Sequence, residues 1–230
     1  MSSANESTNA TTVALFGATG VTGLLTLRAL LSRGYRVRAF TRSPSKIPAD
    51  LSESDLLTII VGELTDVEKL RETLLGSNAV VNMLGPYAGK HPAGLPITKG
   101  METVVRLMDE LSIKRYVALS TCALPHPSDH LNAVTLLASN IAIRIVDREA
   151  WAEFVAMGHL VFAQPHLEWT LLRVGALVGS TMSDKPKKGN AGFPGDGTTR
   201  MWIRREQLAW RAVEALEKGA WIREMPYISA

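Results

Sequence analysis

Short apolar runs alternate with longer amphipathic stretches along almost the whole chain. The segments Val13–Phe16, Arg36–Phe40, Leu57–Val61, Ala79–Met83, Arg115–Ser120 and Trp169–Val174 have strand length and β-type composition, which predicts six strands. Apolar residues recur at helical spacing between them. This predicts helices over Thr22–Ser32, Val67–Leu75, Ile97–Leu111 and Arg204–Lys218, with one or two more within Leu131–Ala163. Asp66 stands where an N-cap belongs and Gly76 where a helix stops. A last short strand is expected at Pro226–Ser229. Strand and helix in alternation predict an α/β domain, a doubly wound, mostly parallel sheet with helices on both faces. In such sheets ligands sit beyond the C-terminal ends of the strands, so the residues just after each strand are the ones to examine.

Composition narrows the classes. At 230 residues, 46% hydrophobic and 20% charged, the chain fits one globular domain over 13–230 behind a polar, disordered tail at 1–12. The net charge is +3, and the basic residues are scattered with few aromatics, so no nucleic-acid partner is expected. Cys122 is the single cysteine; it excludes an internal disulfide and fits a reducing compartment. No apolar run reaches membrane-spanning length, and the first twelve residues hold one acid and no Lys or Arg. The expectation is a cytoplasmic protein without membrane contact or metal, acting on a small molecule, its oligomeric state open. Ser180–Thr199 is rich in Gly, Pro, Lys and Asp and has no periodicity; it reads as a surface loop, either a flexible lid or a plain connection.

The first strand feeds Gly17-Ala-Thr19-Gly20-Val21-Thr22-Gly23, after which leucines at helical spacing open a helix. Glycines in such a turn let the backbone approach a pyrophosphate, and the free N–H groups of the helix N-terminus attract anions. After the second strand come Arg42, Ser43 and Lys46, with no acid between Leu24 and Ala49. A 2′-hydroxyl would call for Asp or Glu there and a 2′-phosphate for Arg, so the expected cofactor is NADP(H).

With its spacing and its Ala-Thr, this turn resembles the short-chain dehydrogenase/reductase superfamily. More narrowly it resembles the atypical branch that holds NmrA-like proteins and small flavin and biliverdin-IXβ reductases. The resemblance implies a Rossmann-like fold. Gly62-Glu63-Leu64 is similar to the family's Gly-Asp-(Leu/Val), which faces the adenine, with Glu in place of Asp. Asn82-Met-Leu-Gly85 is similar to Asn-x-x-Gly, where the backbone lies along the ribose. Leu167-Glu-Trp-Thr-Leu-Leu-Arg173-Val174-Gly175 is similar to Leu-Asp-Trp-Thr-Ile-x-Arg-Pro-Gly, which passes the nicotinamide carboxamide; Val174 replaces the proline. Ile203–Ala209 is similar to the segment that opens the family's late helix, with Gln207 for the acid.

Thr121, or Ser120 beside it, occupies the place where the superfamily's hydroxyl meets the reacting centre. The superfamily's Tyr-x-x-x-Lys is missing: from Ser120 to Trp169 there is no Tyr and no Lys, and Trp151 and Val155 stand in that region. What remains there for proton transfer is His126, His130, Asp147, Arg148, Glu149, Glu153, His159 and His166. His159 falls near a helical His of the flavin/biliverdin-reductase type, and Tyr87 is a second donor or stacking partner for a flat substrate. Each of these has a plainer reading as a solvated or packed side chain. The implied activity is NADPH-dependent reduction of a small flat carbonyl, quinone or flavin-like acceptor by direct hydride transfer. Two alternatives use the same scaffold: a redox-neutral isomerase, cyclase or dehydratase, and a non-catalytic NADP(H)-sensing regulator of the NmrA type.

Overall fold

The computed structural model describes residues 11–86, 91–129, 144, 147–183 and 189–230. The strands are β1 (Thr12–Phe16), β2 (Arg36–Thr41), β3 (Leu57–Val61), β4 (Ala79–Asn82), β5 (Arg115–Thr121), β6 (Glu168–Val174), β7 (Ala176–Val178), β8 (Asn190–Gly192), β9 (Trp202–Arg204) and β10 (Tyr227–Ser229). The helices are α1 (Val21–Ser32), α2 (Ala49–Ser52), α3 (Val67–Leu74), α4 (Pro96–Glu110), α5 (Arg148–Phe162) and α6 (Arg205–Glu217), with a 3-10 turn at Pro44–Lys46.

One sheet runs in the order β3-β2-β1-β4-β5-β6-β10-β8, and only β8 is antiparallel to its neighbour. This is the Rossmann-like doubly wound arrangement expected from the alternation of strands and helices. The strand order reverses between β1 and β4, which is where such sheets open a crevice for a ligand. Register brings the strand ends to one edge: Phe16 lies opposite Phe40 and Asn82, and Thr121 opposite Val174.

Both faces of the sheet are apolar, which explains the continuous rather than alternating runs in the sequence. Val13, Leu15, Val37, Val117 and Leu172 lie in one core cluster with residues of α1 and α6, two helices that pack on each other. Ala14, Phe16, Val80, Tyr116, Ala118 and Leu171 lie in the other with residues of α3, α4 and α5. The Asp66 carboxylate accepts the Lys69 N–H at 3.1 Å and caps α3 as anticipated, and Gly76 leaves that helix at φ +76°.

The structure differs from the sequence reading in its shortest strands and in the segment 180–199. Strands β7, β8 and β9 are three residues each, too short to leave a periodic signal, and were not anticipated. The segment 180–199 is not structureless: β8 pairs with β10, and Asp196 folds a tight turn by accepting N–H bonds from Phe193, Thr198 and Thr199. Of the helical region 131–163, the last fifteen-residue helix, α5, is described. His130 and Tyr87 lie outside the described residues.

Candidate functional site

The turn between β1 and α1 is built by steric exclusion. Gly17 sits at φ +79°, and a Cβ on it would come within 2.7 Å of Leu84 N and Met83 C, so the turn lies against the chain leaving β4. A Cβ on Gly23 would fall 1.9 Å from Gly17 O, so the first turn of α1 folds back on the loop with no room for a side chain. Gly20 is different: its Cβ would meet only Gly17 O, at 3.5 Å, and its outer side is open. Gly20 is also the N-cap of α1; it has no capping side chain, and the first turn carries no acid. The half-positive end of the helix dipole therefore faces outward unneutralised. Val21 beside it is exposed, while Thr22 is buried. Backbone that approaches closely, free amides and no competing acid together form a cradle that fits a pyrophosphate.

Thr19 and Thr41 join this turn to the end of β2 through a 3.3 Å hydroxyl–hydroxyl bond, and Thr41 Oγ1 accepts the Ser43 N–H at 3.0 Å. This fixes the start of the loop that carries Arg42 and Lys46. Both cations are exposed. Arg42 Nε lies 3.9 Å from a carboxylate oxygen of Glu63, which follows β3. An exposed pair at that distance is worth well under about 1 kcal/mol and holds Arg42 only loosely, leaving it able to turn to a phosphate. Leu64 packs against Gly100 of α4, where a Cβ would come within 2.6 Å of Leu64 Cβ.

Both polar atoms of the Asn82 side chain make a hydrogen bond inside the fold. Its Oδ1 accepts the Leu84 N–H at 2.9 Å and its Nδ2 donates to the Tyr116 hydroxyl at 2.9 Å. It therefore sets the path of Met83 and Leu84 against Gly17; what this segment can offer a ribose is backbone. Burial pushes the Tyr116 phenol up to about 12, the hydrogen bond from Asn82 pulling weakly the other way. Gly85 lies beside the Phe154 ring and Leu119.

Ser120 and Thr121 are both buried at the end of β5. Thr121 Oγ1 accepts the Ala123 N–H at 3.4 Å and lies 3.9 Å from Cys122 Sγ. Ser120 lines a small internal space with Asn82, Tyr116, Phe154, Met157 and Gly158. It is roomy enough for about one water, and Ser120, Tyr116 and Asn82 are polar groups able to hold one.

The Arg173 side chain takes no part in a ligand surface. It is wholly buried and makes a two-pronged ion pair with Asp129, both contacts 2.7 Å, while donating to Leu124 O and Met225 O. It ties the loop after β5 to the strand beside it, so only the backbone of Arg173, Val174 and Gly175 is left for a nicotinamide. Gly175 has no room for a Cβ, which would fall 2.3 Å from Met201 O and 2.6 Å from the Tyr227 hydroxyl.

The histidines separate clearly. His159 is on the exposed face of α5, edge-on to Phe162, and not on the face that buries Glu153, Met157 and Gly158. A side chain so placed does not join the hydroxyls of β5. His166 lies toward Asp109, at 3.6 Å. His126 stacks on Phe193, accepts the Ser128 N–H on Nδ1, and has Nε2 3.3 Å from Glu224, so both nitrogens are engaged. Asp147 accepts the Ala150 N–H as the N-cap of α5, with Arg148 and Glu149 in the turn it opens. The residue that sequence reading missed is His91, whose Nε2 lies 2.7 Å from the buried carboxylate of Glu153. Nothing in the local sequence marks it; only the packing of the loop after β4 on α5 brings the pair together.

Among the described residues no group of three or more His, Cys, Asp or Glu could hold a metal ion, and no helix is long and apolar enough to cross a membrane. The fold is shared with solved structures at low identity. A short-chain dehydrogenase/reductase from Veillonella parvula, in complex with NADP, matches with TM-score 0.73 at 14% identity, over 96% of this chain and 94% of that one. ChuY from Escherichia coli O157:H7, an anaerobilin reductase, matches with TM-score 0.72 at 16% identity, over 95% and 97%. The oxidoreductase YlbE from Lactococcus lactis matches with TM-score 0.71 at 17% identity, over 95% and 90%. A curated relative, reductase pytE of Aspergillus terreus, is 39% identical over 71 residues; the match spans 27% of this chain and 27% of that protein. Residues 17–219 match the NAD(P)H-binding family, from the first glycine of the turn to the end of α6 and just beyond. By this match this chain belongs to the NAD(P)H-binding family.

Proposed function

We propose that the protein is an NADPH-dependent reductase of a small, flat carbonyl, quinone or flavin-like acceptor. The observation that carries this reading is the glycine cradle on an uncapped, acid-free helix end, with Arg42 and Lys46 one strand away. The nicotinamide, when bound, supplies a hydride. The protein holds the pyrophosphate on the N–H groups from Val21 to Gly23, the Gly20 N–H being given to Gly17 O. Arg42, with Ser43 and Lys46, receives the 2′-phosphate through a planar, charge-assisted fork. Backbone at Glu63–Leu64, Asn82–Gly85 and Arg173–Gly175 lines the adenine, ribose and carboxamide. Thr121 or Ser120 orients the acceptor oxygen and steadies the charge that develops on it. That the curated relative with the local match is called a reductase supports the same activity.

The test is transfer of label. NADPH deuterated at the transferring carbon is mixed with phenanthrenequinone or free flavin mononucleotide, and oxidation is followed with wild type and Thr121→Val. We expect oxidation at a rate set by the isotope, with Thr121→Val slower by about 100-fold. Tight NADPH binding without oxidation of any flat acceptor would favour the sensing regulator. Conversion of a substrate with the cofactor unconsumed would favour the redox-neutral enzyme.

A further inference from the structure

Glu153 is fully buried on α5, in the stretch where the missing tyrosine and lysine would stand. One carboxylate oxygen accepts both the Thr98 N–H and the Thr98 hydroxyl at 2.6 Å each; the other lies 2.7 Å from His91 Nε2. Thr98 is in the first turn of α4, whose own N-cap is Leu95 at φ 57° with no capping side chain. A carboxylate from a neighbouring helix thus does the capping, and taking it out of water costs several kcal/mol that the hydrogen bonds must offset. A Ser or Asp at position 95 would cap α4 without burying a charge. The arrangement does one thing a local cap would not: it fixes the imidazole of His91.

The His91 side chain keeps 5% of its surface exposed, and its Nδ1 has no partner among the described residues. With Nε2–H given to Glu153, Nδ1 is the nitrogen left for proton traffic. The location suits the chemistry. Next to Glu153, the Phe154 ring faces Gly85, where a Cβ would lie 3.5 Å from the ring and 3.6 Å from Leu119, the neighbour of Ser120. His91 therefore belongs to the loop that leaves β4 at the edge where β4 and β5 end. Among the described residues the charged group in contact with His91 is Glu153 of α5, at 2.7 Å.

We infer that His91 is the proton donor of the site, held by Glu153 and Thr98 as positioning residues, in the role left open by the missing tyrosine. This rests on the reductase reading above. A reduced nicotinamide, when bound, would supply the hydride to the acceptor carbon and be oxidised in doing so. The acceptor C=O π bond opens onto oxygen while His91, as the imidazolium, gives up its Nδ1 proton to form the new O–H and keeps Nε2–H on Glu153. Water then returns a proton to Nδ1.

Two readouts test this. In the free protein, nitrogen-labelled histidine spectra should show His91 with a hydrogen-bonded Nε2–H, a pattern lost in Glu153→Gln. The opposite tautomer, with Nδ1 protonated and Nε2 bare, would overturn the proposal. The second readout is turnover of phenanthrenequinone with NADPH. Gln at position 91 keeps a donor for Glu153 but cannot pass a proton, so His91→Gln should lose about 100-fold in kcat with KM and NADPH affinity unchanged. His91→Ala should be equally slow and recover with added imidazole. Wild-type kcat in His91→Gln would show a structural latch and overturn the proposal. If wild type binds no NADPH in a separate titration, the reductase reading itself fails; if it binds NADPH but leaves the quinone unreduced, the donor role is refuted and the cofactor site stands.

Discussion

At the scale of single residues, the three glycines of the turn carry different loads, and substitution should separate them. Gly23→Ala forces a Cβ to within 1.9 Å of Gly17 O and should cost about 1–3 kcal/mol of stability along with NADPH binding. Gly20→Ala meets only Gly17 O at 3.5 Å, so its thermal midpoint should stay at the wild-type value while NADPH binds about tenfold more weakly, roughly 1.4 kcal/mol. Calorimetry and thermal melts on both variants check this; a melt of Gly20→Ala well below wild type would show that its outer side is not open. Arg173 is the reverse case. Its resemblance to a cofactor-lining position was legible in the sequence, but its burden is internal: Arg173→Met strands the buried Asp129 carboxylate and should cost about 3–5 kcal/mol in urea denaturation. Sequence could not show this, because Asp129 is 44 residues away and no spacing rule links a strand residue to a loop acid that folds over it.

At the scale of elements, the long signals were readable and the short ones were not. β1 to β6 follow from short apolar runs and the helices α1, α3, α4 and α6 from apolar residues at period 3.6, since burying such faces is what forms them. Boundaries moved by a residue or so, as at Asn82, whose side chain turns back to hold Leu84 and so ends β4. The strands β7, β8 and β9 depend on tertiary pairing alone, β8 being fixed by β10 and by the Asp196 turn. Capping was readable where the cap is local. Asp66→Ala should cost about 1 kcal/mol, measured by chemical denaturation, because it removes the acceptor for the Lys69 N–H. The cap of α4 was not readable, because its acceptor, Glu153, comes from another helix. The same gap hid His91.

At the scale of the whole molecule, the sheet has apolar faces on both sides and a polar C-terminal edge, and both properties can be measured. Tyr116 and Tyr227 lie against the interior, and burial pushes each phenol up to about 12; the Cys122 thiol adds to this for Tyr227, while Arg173 and the Gly175 amide oppose it. An unfolded tyrosine ionises near 10, so between about pH 10 and 12 the unfolded chain sheds these protons first and stability falls as pH rises. For the fully buried Tyr116 the contribution lost is about 2–3 kcal/mol, and below pH 10 it is wholly present. Phenolate absorbance should show both groups ionising only as the chain unfolds, with Tyr116→Phe removing one of them; free titration of both near pH 10 in the folded protein would contradict the burial. The proposed function rests on the polar edge, where the cradle at Gly17–Gly23 and the cation at Arg42 together would select NADPH. The direct measurement is calorimetric titration of wild type and Arg42→Ala with NADPH and NADH at low and moderate salt. Wild type should bind NADPH at least about tenfold tighter than NADH, added salt should narrow the gap, and Arg42→Ala should erase it. Equal binding of the two by wild type, or a preference that survives Arg42→Ala, would contradict this selection.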